Sequence, residues 1–205
     1  MTMFTYKQEQ IEWTQFWREG SPDENTRRVL IIGDSITVGY RHLVEQKLEG
    51  KYHVSAVSTS KALDNPWLMD EIKLLIKQDE VSYDIVHFNN GAHGGHLKSE
   101  EYGVLYEKFV CELMQLFPKA KFIMALTTPM MCAEDLTKFH PTYNKNSIER
   151  NEQALDIAKK YNITVEDLYS AALSEPGLHC EDGIHYNDHG WDVLADTVVK
   201  TILSV

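Results

Sequence analysis

Two short stretches at opposite ends of this 205-residue chain carry side chains that could do chemistry together. Near the start, Val29, Leu30, Ile31 and Ile32 lead into Gly33-Asp34-Ser35. Near the end stands Asp182-Gly183-Ile184-His185. A serine hydroxyl is a poor nucleophile until a base removes its proton. The usual base is a histidine whose tautomer is fixed by a carboxylate. Asp182 and His185 are three positions apart, so a single turn brings the carboxylate beside the ring. Asp188 and His189 lie close enough to compete for the same work. Each stretch also has a plain structural reading. Asp34-Ser35 suits a helix N-cap, and residues 182–188 suit a solvated loop in which Asn187 or Asp188 caps the last helix.

The elements around Ser35 decide how much its position matters. Four apolar residues before Gly33 suit a strand buried on both faces. From Ile36 the residues Ile36, Tyr40, Leu43, Val44 and Leu48 recur at helical spacing until Gly50. Ser35 therefore falls where a buried strand gives way to a helix. Backbone N–H groups are unpaired there and the helix dipole is positive, a setting suited to an oxyanion.

Further strands are expected over residues 52–57, 84–88, 121–126 and 163–165, with helices over 68–76, 100–117, 147–161 and 191–203. Strands alternating with helices predict an α/β fold, with βαβ units building a mostly parallel five-stranded sheet covered on both faces. Residues 1–27 read as an N-terminal helical extension packed on a domain of residues 28–205, because Trp13, Phe16 and Trp17 have helical spacing. In parallel sheets the site lies beyond the carboxyl ends of the strands. Ser35, the stretch NNGAHGGH at 89–96 and the loop after the fourth strand all fall there. Residues 130–146 are long for a connection and are expected to form a substrate-side flap.

A net charge of −11 argues against nucleic acid as a partner, since phosphate backbones need a basic footprint. Cys111, Cys132 and Cys180 are odd in number and form no C-x-x-C, which predicts reduced structural thiols. Neither a basic-then-apolar leader nor an apolar run of membrane length is seen, so a cytoplasmic protein with no membrane partner is expected.

Gly33-Asp34-Ser35 paired with Asp182-x-x-His185 resembles the SGNH, or GDSL-type, hydrolase family. The resemblance implies a flavodoxin-like three-layer α/β/α sandwich and ester hydrolysis through an acyl-enzyme. Ser35 would be the nucleophile, His185 the base and Asp182 its acid partner, with no metal or organic cofactor. Two family blocks depart from the pattern. The glycine after the second strand is missing from VSTSKALDNPW, which leaves Ser60 or a neighbour to bind the oxyanion. The G-x-N-D block reads Gly91-Ala92-His93-Gly94, so His93 stands where the family has its asparagine donor. An imidazole can donate a hydrogen bond, and the amides of Asn89 and Asn90 are rivals in the same loop.

Polar loops with Tyr and Trp nearby suit a short-chain acyl ester, acetyl above all, on a small molecule or carbohydrate. Two other classes stay open at this point. A fold kept with altered blocks suits a catalytically impaired ligand- or carbohydrate-binding protein. His87, His93, His96, Asp182, His185, Asp188 and His189 could instead gather round a metal for hydrolysis, although no H-E-x-x-H spacing occurs.

Overall fold

The computed structural model describes residues 6–20, 26–79 and 81–205. The sheet is built from β1 (Thr14–Trp17), β2 (Arg27–Gly33), β3 (Tyr52–Thr59), β4 (Ile85–Phe88) and β5 (Lys121–Ala125). Past a small separate hairpin of β6 (Met131–Cys132) and β7 (Asp135–Phe139), β8 (Thr164–Glu166) completes it. Its order is β1-β3-β2-β4-β5-β8. All neighbours pair in parallel except β1, which runs antiparallel along the outer edge of β3. The five parallel strands thus follow the 2-1-3-4-5 order of flavodoxin-like sheets.

Side-chain alternation along β2 splits the apolar interior in two. Val29 and Ile31 face α1 (Ser35–Lys47), α5 (Leu168–Ala171) and α6 (Asp188–Ser204), where Tyr40, Val44, Leu168, Leu194 and Val198 pack. Leu30 and Ile32 face α2 (Leu68–Asp79), α3 (Ser99–Leu116) and α4 (Tyr143–Tyr161), where Ile72, Tyr106, Phe109, Leu113 and Ala154 pack. Helices on both faces of the sheet make the three layers. No helix among the described residues is long and apolar enough to cross a membrane.

Two expectations are corrected. The sheet has six strands among the described residues rather than five, and the extra one lies where a helix was expected. Trp13, Phe16 and Trp17 have helical spacing, yet Thr14–Trp17 is extended and registers against Ala56–Thr59. The reason is tertiary: the buried strand β3 has a free row of backbone groups that a local helix would leave unpaired. Trp17 then packs under the Arg41 guanidinium, 4.1 Å from its ring centre, and Thr14 Oγ1 bonds Thr59 Oγ1 at 2.9 Å. The stretch 130–146 contains the β6–β7 hairpin and the first turn of α4, which starts four residues earlier than its apolar pattern predicts.

One polar pair lies inside the sheet's apolar face. His87 Nε2 stands 2.6 Å from Glu166 Oε2, and both side chains are fully buried. A carboxylate stripped of this partner has no water to turn to. His87→Leu is expected to lower the free energy of unfolding by about 3–5 kcal/mol, and a second substitution, Glu166→Leu, to recover most of it. Urea denaturation of the two variants measures both effects.

Candidate active site

Ser35 is positioned by the residue before it. Asp34 is the N-cap of α1: its Oδ1 accepts the Ile36 N–H at 2.9 Å and its backbone oxygen accepts the Val38 N–H. The cap reading of this stretch is therefore filled by Asp34, which leaves Ser35 as the first helical residue with its hydroxyl free for other work. Burial pushes the Asp34 carboxyl above its usual range, against the nearby His93, the Ile36 N–H and His185.

The C-terminal loop folds around Asp182. Its Oδ1 accepts the N–H groups of Ile184 and His185, both at 2.9 Å, and its Oδ2 meets His185 Nδ1 at 2.6 Å. The carboxylate thus shapes the turn and aims the ring together. Burial alone would raise its pKa, but the bonds from the His185 ring and the two N–H groups prevail and hold it at about 2. An ionised Asp182 keeps the proton of His185 on Nδ1, and Nε2 is left as an acceptor. Nε2 lies 2.8 Å from Ser35 Oγ, so a single row runs from carboxylate to imidazole to hydroxyl. Asp188 and His189 do not compete. Asp188 opens α6 behind the Asn187 cap, and His189 pairs with Glu175 at the surface.

Gly183 makes the turn possible. Its φ is +71°, and a Cβ there would run into the carbonyl of Met131. The loop is tied to β6 by the Met131 N–H donating to Gly183 O at 2.7 Å, and closed on itself by the Cys180 N–H donating to His185 O at 2.8 Å.

The oxyanion candidates separate by what already holds them. Ser60 is tied to the sheet edge: its N–H donates to Trp13 O at 3.1 Å and its Oγ accepts the Trp13 N–H at 2.9 Å. Asn90 is a buried strut whose amide donates to Lys61 O and whose backbone oxygen accepts the Tyr102 hydroxyl. The Asn89 amide donates to Ala125 O and Thr127 Oγ1, while its Oδ1 takes the Gly91 N–H. Gly91 itself allows a close approach, since a Cβ there would meet Thr127 Oγ1. These contacts explain the expected donors Ser60, Asn90 and Gly91 as framework. His93, like Gly91, lines an open cavity of about 280 Å³ with Glu9, Met130, Tyr143, Asn146 and Arg150, and its imidazole is the side-chain donor there.

One wall residue links this cavity to the N-cap of α1. Ala92, on its wall, also lines a smaller cleft with Asp34 and Thr37, and Met130 precedes the residue bonded to Gly183. Two of its residues escape sequence reasoning. Glu9 sits in a polar N-terminal segment with no pattern to mark it. Arg150 lies on α4, which buries Asn144, Ser147, Arg150 and Asn151 in its first half before Ala154, Ile157 and Ala158 join the core, while Ile148 and Leu155 are exposed. That polar first half is the signal, since the half-helix that buries polar residues has something other than an apolar core to serve.

The residues considered as a metal cluster are dispersed, each histidine with its own carboxylate. His87 pairs with Glu166, His93 with Glu9, His96 with Asp64 and His189 with Glu175. No three His, Cys, Asp or Glu side chains among the described residues come together to hold an ion.

No family model matches the chain. It is 21% identical over 237 residues to an acetylxylan esterase of Xylanibacter ruminicola, an alignment that covers 98% of this chain and 48% of that protein. The chain thus spans about half the length of the curated relative it matches. Solved structures similar to it include a lipase/acylhydrolase from Enterococcus faecalis, with a TM-score of 0.70, 19% identity, and 87% of this chain and 96% of that one covered. A catalytic mutant of an acetylxylan esterase from Geobacillus stearothermophilus has a TM-score of 0.66 and 16% identity, over 86% and 94% of the two chains. A GDSL-like lipase from Bacteroides thetaiotaomicron has a TM-score of 0.67 and 16% identity, over 91% and 92%. The chain has the α/β fold of the GDSL/SGNH hydrolase structures.

Gly183→Ala is expected to cost at least about 1–2 kcal/mol, the penalty of a left-handed backbone for a residue with a Cβ, with the clash against the Met131 carbonyl added to it. It should also displace His185 from Ser35. Denaturation measures the first effect, and the nitrogen shifts of the His185 ring report the second.

Proposed function

We propose that this protein is a serine esterase that removes short acyl groups, acetyl above all, from small-molecule or carbohydrate esters. The observation that carries the reading is the row Asp182–His185–Ser35, with contacts of 2.6 Å and 2.8 Å, at the N-terminus of α1. His185 takes the Ser35 proton as Oγ attacks the ester carbonyl, and Asp182 steadies the imidazolium that forms. The Ser35 N–H and the His93 ring face the negative oxygen, each such donor contributing about 3–4 kcal/mol to the transition state. His185 then gives its proton to the departing alcohol. Water, deprotonated by the same ring, releases the acid from the acyl-enzyme. No metal or organic cofactor enters these steps.

Three features support an acetylated carbohydrate-like substrate. The cavity is small and lined mainly by polar groups. Tyr143, half-exposed on its wall, stacks on His140 at 4.2 Å and offers a flat aromatic surface at its mouth. The similarity to acetylxylan esterases of two organisms points the same way. The cytoplasm remains the expected location.

Ser35→Ala and His185→Ala are each expected to lower turnover of p-nitrophenyl acetate by about four to six decades, and Asp182→Asn by about four. A fluorophosphonate probe should label the parent protein and leave Ser35→Ala unlabelled. Comparing acetyl with longer acyl esters sizes the pocket. Full activity in both Ser35→Ala and His185→Ala would overturn the mechanism.

A further inference from the structure

The N-terminal arm reaches into the cavity that His93 lines. The His93 Nδ1–H donates to Glu9 Oε2 at 2.9 Å, and the Gly94 N–H donates to Glu9 Oε1 at 2.8 Å. Both side chains are about a quarter exposed, and both line the cavity wall. From the other side the buried Arg150 guanidinium donates to the carbonyl oxygens of Gly91, His93 and Gly94 at 2.7–2.8 Å. Its face also covers the Tyr102 ring at 4.7 Å. The 91–94 loop is therefore clamped by a cation on its carbonyls and by an anion on its N–H and its ring. Neither clamp touches the Asp182–His185–Ser35 row.

The Glu9 contact decides what the ring can offer. A carboxylate on Nδ1 holds a proton there, so a neutral His93 presents a bare Nε2 lone pair, which repels a negative oxygen. Only the doubly protonated ring carries an N–H at Nε2. Glu9 and Asp34 face the ring as negative charges and Arg150 as a positive one, while His96 acts on Glu9 and His185 on Asp34. Burial and Arg150 oppose a charged ring, but the Glu9 bond with the Asp34 and Glu9 charges prevails and raises the His93 pKa above its ordinary value. The Glu9 carboxylate is correspondingly lowered, against its own burial, by His93 and the Gly94 N–H.

We propose that Glu9 is a positioning residue that holds His93 as an imidazolium, whose Nε2–H is the donor offered to the negative oxygen formed when Ser35 attacks. The inference rests on the esterase reading and deepens it. A charge-assisted donor then stands where the resembled family has a neutral amide, and such bonds are roughly twice as strong as neutral ones. The consequence is a pH limit of known sign. The ring is charged below its raised pKa and loses the Nε2 proton as pH rises through it, so turnover falls on the alkaline side.

The test pairs a titration with a rate profile. Ring resonances of His93 are followed by NMR against pH in the full chain, in Glu9→Gln and in Asp182→Asn. Turnover of phenyl acetate is followed over the same range in the parent, Glu9→Gln and His93→Asn. The parent ring should titrate above the ordinary histidine value of about 6.5. Glu9→Gln should move the titration and the alkaline limb to lower pH together, with kcat reduced and KM little changed, while Asp182→Asn leaves the His93 titration in place. His93→Asn should hydrolyse more slowly and lose the alkaline limb, because an amide donates at every pH. An alkaline limb that survives in His93→Asn overturns the proposal, as does a Glu9→Gln rate reduced equally at all pH. A parent His93 that titrates below the ordinary value overturns it too. If the parent neither hydrolyses esters nor reacts with a fluorophosphonate, the esterase reading fails, and the NMR titration still decides whether Glu9 holds His93 charged.

Discussion

Parallel pairing on both sides of β2 is the constraint from which the site follows. β2 registers with β3 through Arg27–Gly33 and with β4 through Val29–Ile32. Its carboxyl end is therefore flanked by the ends of both neighbours, and the chain leaves in opposite directions at the switch point. The Asn89 N–H donating to Ile32 O at 2.9 Å keeps β4 in register up to its last residue. Gly33, Asp34 and Ser35 turn there into α1. The positive end of that helix and the 89–96 loop are brought together because two parallel strands stop side by side. No interaction within the loops themselves could achieve this.

On that platform a second rule recurs: histidines held by carboxylates. An acidic chain with nine histidines has carboxylates to spare, and the fold uses them differently by depth. His87 and Glu166 are sealed in the core, where the pair serves packing. His189 and Glu175 lie in water, where a pair contributes little. His93 with Glu9 and His185 with Asp182 lie between these extremes, buried enough for charge to matter and open enough to meet a ligand. His185 alone of these four has its second nitrogen on a serine hydroxyl. The partner across that contact is 150 residues away in sequence, so its formation requires the whole sheet.

Much of the framework was legible in the residues. Runs such as Val29–Ile32 are apolar without alternation, and a strand of that kind has to be covered on both faces, which dictates helices above and below. Asp182 and His185 were legible as a pair because three-residue spacing is local geometry. Local geometry was also what misled at the N-terminus. Trp13, Phe16 and Trp17 match a helical face, but the open edge of β3 offers Thr14–Trp17 backbone partners that no local pattern records. Ser60 is tied to the sheet edge for the same reason, since Trp13, just before β1, accepts its N–H and donates to its Oγ. Glu9 and Arg150 were invisible individually: an acidic residue in a polar segment and a cation on a helix are ordinary until the 91–94 loop is seen between them.

The sequence by itself determined the layered α/β architecture, the strand-to-helix junction at Ser35 and the carboxylate–imidazole turn at Asp182–His185. Each of these depends on hydrophobic periodicity or on contacts a few residues apart. Tertiary structure decided the rest: the sixth strand, the meeting of His185 with Ser35, the commitment of Asn89, Asn90 and Ser60 to the framework, and the clamp of Glu9 and Arg150 on the His93 loop. These depend on which unpaired backbone groups and which charges end up facing one another after the strands have taken their order. That is settled by the competition of distant segments for the same partners, and a linear pattern carries no record of its outcome.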